Sequence, residues 1–129
     1  MAISVVRLGT PRAPDEGTRL GTVRRPPRGV RKTDFSRLDY YDVWVPDVAP
    51  SAQLVSWALA SPWTDARWKR YVREYHREMK QPQASRLITL LAVLSRNTNL
   101  AIGCYCEDET RCHRTLLARL LEDAGAEMR

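Results

Sequence analysis

Apolar residues along the chain cluster in two periods, one fitting extended backbone and one fitting helices. Residues 2–8, AISVVRL, are a short β-branched run that predicts a first strand. Residues 9–18 hold two glycines and two prolines and predict a surface loop. Residues 19–23, RLGTV, predict a second strand, broken by the adjacent prolines of the cationic segment 24–32. Residues 41–45, YDVWV, predict a third strand, ended by Pro46.

The period then becomes helical. Ser51 is placed as the cap of a helix with Leu54, Val55, Ala58 and Leu59 on one face. Thr64 caps a second helix, whose stripe of Trp68, Tyr71, Val72, Tyr75 and Met79 recurs at helical spacing. Its other face carries Arg67, Lys69, Arg70, Arg73, Arg77 and Lys80. A third helix over 84–97 is expected to turn Leu87, Leu90, Leu91 and Leu94 inward. Residues 99–106, NLAIGCYC, have the length and apolarity of a strand. A last helix over 111–125 buries Leu116, Leu117, Leu120 and Leu121 and stops at Gly125. Strands separated by helices predict an α/β fold, a single layered domain over 1–129 with a small, largely parallel sheet flanked by helices.

Composition narrows the class. The chain has 129 residues, 43% hydrophobic and 28% charged, which suits one globular domain and argues against wholesale disorder. No apolar run reaches the roughly 20 residues that cross a bilayer, so no membrane partner is expected. The N-terminal residues lack the pattern of a secretory signal, and three cysteines are an odd number. The expected location is therefore cytoplasmic, with reduced thiols. The net charge of +6 is compatible with nucleic acid or nucleotides, although arginine-rich composition alone does not require either.

The chemistry concentrates in residues 104–114, CYCEDETRCHR, which contain every cysteine and one of the two histidines. Parallel sheets bind ligands beyond the carboxyl ends of their strands, where loops enter helices. On an extended strand Cys104 and Cys106 share one face. Cys112, His113 and Arg114 are placed in the first turn of the helix, where free backbone N–H groups favour an anion or a thiolate. Three readings stay open. Four cysteine and histidine donors suffice for zinc. The spacing is not a usual zinc pattern, however, and helical positions 112 and 113 diverge by about 100°, so no residue is assigned as a metal ligand. A thiol nucleophile fits the five-residue separation of Cys106 and Arg111, and is opposed by Glu107, Asp108 and Glu109. Plain packing is the third reading and suits Cys104 best. Arg24 and Arg28, just past the second strand, would reach the same sheet edge and grip a phosphate or carboxylate.

Two of these motifs resemble a known family. Residues 17–30, GTRLGTVRRPPRGV, are similar to the GxRxLVDRxWPRG signature of the bacterial YeaO-like proteins, within domain-of-unknown-function family four-eight-eight. Gly17, Arg19, Arg24, Pro27, Arg28 and Gly29 keep the pattern, while Val23 replaces its aspartate and Pro26 its tryptophan. Residues 47–51, Trp57 and residues 69–75 resemble the LAPS…W…RY…E stretch, and Cys112, His113 and Arg114 the CHR group. The resemblance implies a compact α/β domain of a bacterial, cytoplasmic protein, and implies no established reaction.

The expected site is a cleft in which Arg24, Arg28, Arg111 and Arg114 supply positive charge to a small anionic ligand such as a phosphate, nucleotide or carboxylate. Cys106, Cys112 and His113 are the candidate catalytic groups of a thiol- or histidine-assisted hydrolase or transferase. The alternatives are a nucleic-acid-binding module using the basic face of the second helix, and a zinc-stabilised structural protein. Neither a cofactor nor an oligomeric state is legible.

Overall fold

In the computed structural model, which describes Met1–Arg129, four strands form a parallel sheet in the order β1-β4-β2-β3. They are β1 (Ile3–Arg7), β2 (Thr18–Gly21), β3 (Val43–Trp44) and β4 (Leu100–Cys104). Between β3 and β4 run the helices α1 (Ala52–Leu59), α2 (Asp65–Met79) and α3 (Pro82–Leu94), and α4 (His113–Asp123) follows β4. The fold is α/β.

The central strand β4 is buried along its whole length, as expected of a strand covered on both faces. On one face, Ile3, Leu20, Leu100 and Ile102 meet Leu54, Tyr71, Tyr75, Ile88, Leu117 and Leu121 in a continuous core to which all four helices contribute. Loops cover the other face instead of helices. There Tyr41 lies so close over Gly21 that a β-carbon would fall 2.2 Å from its ring, so this strand position tolerates no side chain. Beside it the fully buried Arg19 donates to both carboxylate oxygens of Glu16 at 2.8 Å, and to the carbonyls of Thr10 (2.8 Å) and Asp39 (2.7 Å).

Both helix starts expected from the sequence are made by side chains. Ser51 Oγ accepts from Leu54 N (3.2 Å) and Thr64 Oγ1 from Arg67 N (3.1 Å). Ser51 is further tied to α2, since its amide donates to Glu78 Oε1 (2.8 Å) and its hydroxyl to Oε2 (2.5 Å). Replacing a capping serine by alanine costs about 1 kcal/mol. Ser51→Ala is therefore expected to lower thermal stability by at least that much, and Glu78→Gln to reproduce only part of the loss.

Three expectations need correction. The third strand is two residues long rather than five: Tyr41 turns onto Gly21, and Asp42 is drawn into bonds with Arg12 (2.7 Å) and the Arg19 amide (2.9 Å). The buried arc of α3 is Ala84, Ile88, Leu91 and Ala92, whereas Leu90 and Leu94 are 52% and 38% exposed. Leucines occur on both sides of that helix, and the small alanines rather than the leucines mark the closely packed face. Cys112 is not in the first turn of α4. It is the residue before it, in extended conformation, and a 3-10 turn over Glu109–Arg111 precedes it.

Candidate functional site

Beyond the carboxyl ends of β2 and β4 the chain opens into a cavity of about 290 Å³. Its floor is sulfur and imidazole. The Sγ atoms of Cys104, Cys106 and Cys112 lie within 4.8 Å of one another, with Cys104 and Cys112 buried and Cys106 exposed. The extended conformation of Cys112 brings this about. It aims the side chain back at the strand end instead of around a helix, so the angular divergence expected between positions 112 and 113 does not arise.

His113 is buried and its tautomer is set by its surroundings. Nε2 is 2.5 Å from the carbonyl oxygen of Thr22, an acceptor only, so Nε2 carries the proton. Thr22 is held in turn through Oγ1, which donates to Gly103 O at 2.9 Å. Nδ1 is left as an acceptor 4.0 Å from Cys112 Sγ. Burial lowers the histidine's affinity for a proton, so the ring is neutral.

The three thiols titrate as a group. Hydrogen bonds from the Cys104 and Cys112 thiols hold Cys106 far below the usual thiol range, with the positive charge of Arg114 adding to this electrostatically. Donating to Cys106 pushes Cys104 up to about 11, and hydrogen bonding to Cys104 and then to Cys106 pushes Cys112 higher still. The expected opposition from the acidic triplet is reduced because those side chains are exposed, with Glu107 and Asp108 partnered elsewhere, although Asp108 still feels the charge of Cys106. Glu107 pairs with Arg7 at 3.3 Å, and Asp108 accepts from Thr110 N at 3.0 Å.

The arginines divide differently from the expectation. Arg24 lines the cavity, but Nε donates to Pro50 O (2.8 Å) and Nη2 to Pro46 O (3.1 Å), fastening the turn before α1. Arg111 lines it and is engaged with Thr64 O (3.2 Å) and Asp65 (2.9 Å). Arg28 is outside it, in a neighbouring hollow with Tyr40, because the chain has already turned away at Pro26 and Pro27. Arg114 does not line it either: the guanidinium runs under β1, where Nη1 donates to Val6 O at 3.3 Å. Arg114 is nonetheless 5% exposed, has no carboxylate partner and leaves Nε unbonded. A buried cation of this kind is costly without a counter-charge. Sequence reasoning missed Arg25, a residue that borders both this cavity and the neighbouring hollow and whose side chain makes no hydrogen bond or ion pair, and it missed the aromatic wall that Tyr71 and Tyr105 form with Trp63. Tyr71 had been placed in the core by its helical spacing, and it serves both roles.

The same geometry gives meaning to the pattern at residues 17–29. Gly17 has a φ of +84°, and a β-carbon there would fall 1.9 Å from Asn99 O. Arg19 is the buried partner of Glu16, and Arg24 ties down the turn before α1. These retained residues build the scaffold under the cavity, while Val23, at the position of the signature's aspartate, lines the cavity itself. A family model described as "Active DUF488-N3 subclade" matches residues 3–125. The chain belongs to the DUF488 family. The match covers nearly all of the α/β domain of this DUF488 protein, including both motifs that shape the cavity. No curated protein and no solved structure matches the chain. No helix is long and apolar enough to cross a membrane.

Three sulfurs at this spacing also form a donor set suited to a thiophilic metal, which Cys104, Cys106 and Cys112 would hold.

Proposed function

We propose that this DUF488 domain is a thiol-dependent hydrolase or transferase in which Cys106 is the nucleophile. The observation that carries the reading is an exposed thiol held against two buried thiols at the floor of a cavity, with Arg114 buried nearby and lacking any carboxylate. A thiolate shared by the three sulfurs is the counter-charge that Arg114 otherwise lacks. The sulfur of Cys106 attacks an electrophilic carbon, a carbon–sulfur bond forms, and the leaving group departs with the electrons of the bond it loses. Water or a second acceptor then cleaves the adduct and returns Cys106 as thiolate. That the matching subclade is described as active agrees with such a role.

A phosphoryl centre fits less well. Its transition state calls for several cations converging on the transferring oxygens, and Arg24, Arg111 and Arg114 are each held elsewhere. The nucleic-acid reading is weakened for a similar reason. On α2, Arg67 and Arg70 lie over the Trp57 ring at 4.1 and 4.8 Å, and Arg77 pairs with Glu74.

The test is limited alkylation with iodoacetamide near pH 6, followed by peptide mass analysis and metal analysis of the same sample. Cys106 should be modified first. At that pH an ordinary thiol is only about 0.3% ionised. A fully ionised one keeps a rate advantage of about tenfold after allowance for its weaker intrinsic nucleophilicity. Modification of Cys106 no faster than a free thiol, or one tightly bound metal per chain masking all three sulfurs, overturns the proposal. Arg114→Met should move the pH profile of Cys106 alkylation upward, because it removes a positive charge that favours the thiolate, and Arg114→Lys should restore part of the shift.

A further inference from the structure

The cavity is far more apolar than an anion site requires. Its walls are Val55, Ala58 and Leu59 from α1 on one side and Trp63, Tyr71 and Tyr105 on the other. Trp63 and Tyr71 pack edge to face with centroids 5.3 Å apart, and Trp68 stacks behind Tyr71 at 5.4 Å, which makes this wall rigid. Leu59, at the end of α1, is 82% exposed, a large apolar side chain left in solvent beside the opening.

Polar groups that could satisfy a sugar or a nucleobase are scarce. The imidazole N–H is taken by Thr22 O, Arg24 by the carbonyls before α1, and Arg111 by Asp65. A ligand rich in donors and acceptors would leave them unpaired, at about 1–3 kcal/mol for each buried group. The exceptions are the Tyr71 hydroxyl and the Trp63 indole N–H, which make no hydrogen bond within the protein, and the one charged group among them, Arg25. It is exposed, borders the cavity and makes no side-chain bond, and its backbone is fixed by Tyr105, whose hydroxyl donates to Arg25 O at 3.0 Å.

We infer that the substrate is an amphipathic carbon electrophile, an apolar acyl or aryl-bearing group that fills the cavity and carries an anionic substituent held at the opening by Arg25. The inference rests on the reading of Cys106 as nucleophile and adds to it the shape and charge of what is attacked. A cavity of about 290 Å³ takes an aromatic ring or a short branched chain, with the electrophilic carbon at the sulfurs and the anion at the rim. The anion contact expected at Arg24, Arg28, Arg111 and Arg114 is in this inference assigned to a different arginine, at the opening rather than at the thiols.

Four chloroacetamides of the same warhead test this: unsubstituted, N-benzyl, N-(4-carboxybenzyl) and N-(4-trimethylammoniobenzyl). Rates of Cys106 modification are read by intact mass, with adduct position confirmed by peptide mapping. The benzyl reagent should exceed the unsubstituted one by about tenfold or more and show saturation, as burial of a ring predicts. The carboxylate should add a further gain of a few-fold, and the cationic reagent should be slowest of the three benzyl compounds. Arg25→Glu should invert the order of the carboxylate and the ammonium reagents, a result that loss of folding cannot produce. Equal rates for all four at Cys106, or an unchanged order in Arg25→Glu, overturn the substrate assignment and leave the nucleophile standing. Failure of every reagent to reach Cys106 first overturns the nucleophile.

Discussion

Cys106→Ser should abolish rapid alkylation of the folded protein. The two remaining thiols, Cys104 and Cys112, are only 1% and 2% exposed. They react only when the structure opens locally, and each 1.4 kcal/mol of opening slows them tenfold. The rate of modification near pH 6 is therefore expected to fall at least about a hundredfold, and the melting temperature to fall as well, because Arg114 loses the thiolate proposed as its counter-charge. The converse variants sharpen the result. Cys104→Ser and Cys112→Ser keep the exposed sulfur and replace a buried thiol donor with a hydroxyl, so both should still be modified at Cys106. Cys104→Ala and Cys112→Ala delete the donor, and the pH profile of Cys106 should then move upward in each. A Cys106→Ser protein that is alkylated as fast as the parent would place the reactive sulfur elsewhere. Any catalytic turnover found for this domain should disappear with the same substitution.

The position of the sulfur cluster was legible to the level of the sheet edge. Apolar runs and glycine-flanked turns located β1, β2 and β4, and the parallel arrangement then placed the ends of β2 and β4 side by side. The grouping of cysteines could be read from one eleven-residue stretch. What could not be read was the backbone at Cys112. Its extended conformation, not its number along α4, determines that its sulfur faces Cys104 and Cys106. Side-chain bookings by backbone carbonyls were equally hidden. Arg24 looked free as a cation in a basic loop, yet its partners are three carbonyls 22 to 26 residues away. Arg25, next to it and indistinguishable by composition, is the one left unpaired.

The same limit explains the aromatic wall. Helical spacing identifies Tyr71 and Tyr75 as inward-facing, and both are buried. It does not say where along the helix the core ends and a cavity begins. Tyr75 lies within the core, its hydroxyl donating to Val48 O at 2.7 Å, and Tyr71, one turn earlier, faces the thiols. At that level α1 contributes Val55, Ala58 and Leu59 to the lining of the cavity. Sulfur chemistry and an apolar enclosure thus arise at one spot, from elements far apart in sequence.

Arg19→Met carries the largest expected loss of stability. Arg19 is fully buried and Glu16 nearly so, and the guanidinium holds both carboxylate oxygens at 2.8 Å. It also satisfies the carbonyls of Thr10 and Asp39, which cover the loop-lined face of the sheet. Removing one partner of a buried pair leaves the other charge uncompensated, at a cost of about 3–5 kcal/mol. For a domain of this size that corresponds to a fall in melting temperature of about 10–20 °C. The pH dependence separates this cause from simple loss of packing. Hydrogen bonding by Arg19 lowers the Glu16 pKa below the ordinary carboxylate value. The stabilisation is therefore complete above that ordinary value, about 4.3, and is lost as the pH falls through the depressed folded value. In Arg19→Met, burial without the guanidinium raises the Glu16 pKa instead, so acid relieves the stranded charge. The difference in stability between parent and variant should narrow as the pH is lowered from 7 toward 4. Adding Glu16→Gln should recover part of the loss at neutral pH and abolish that narrowing. A constant difference across the range would mean that Arg19 acts through volume alone.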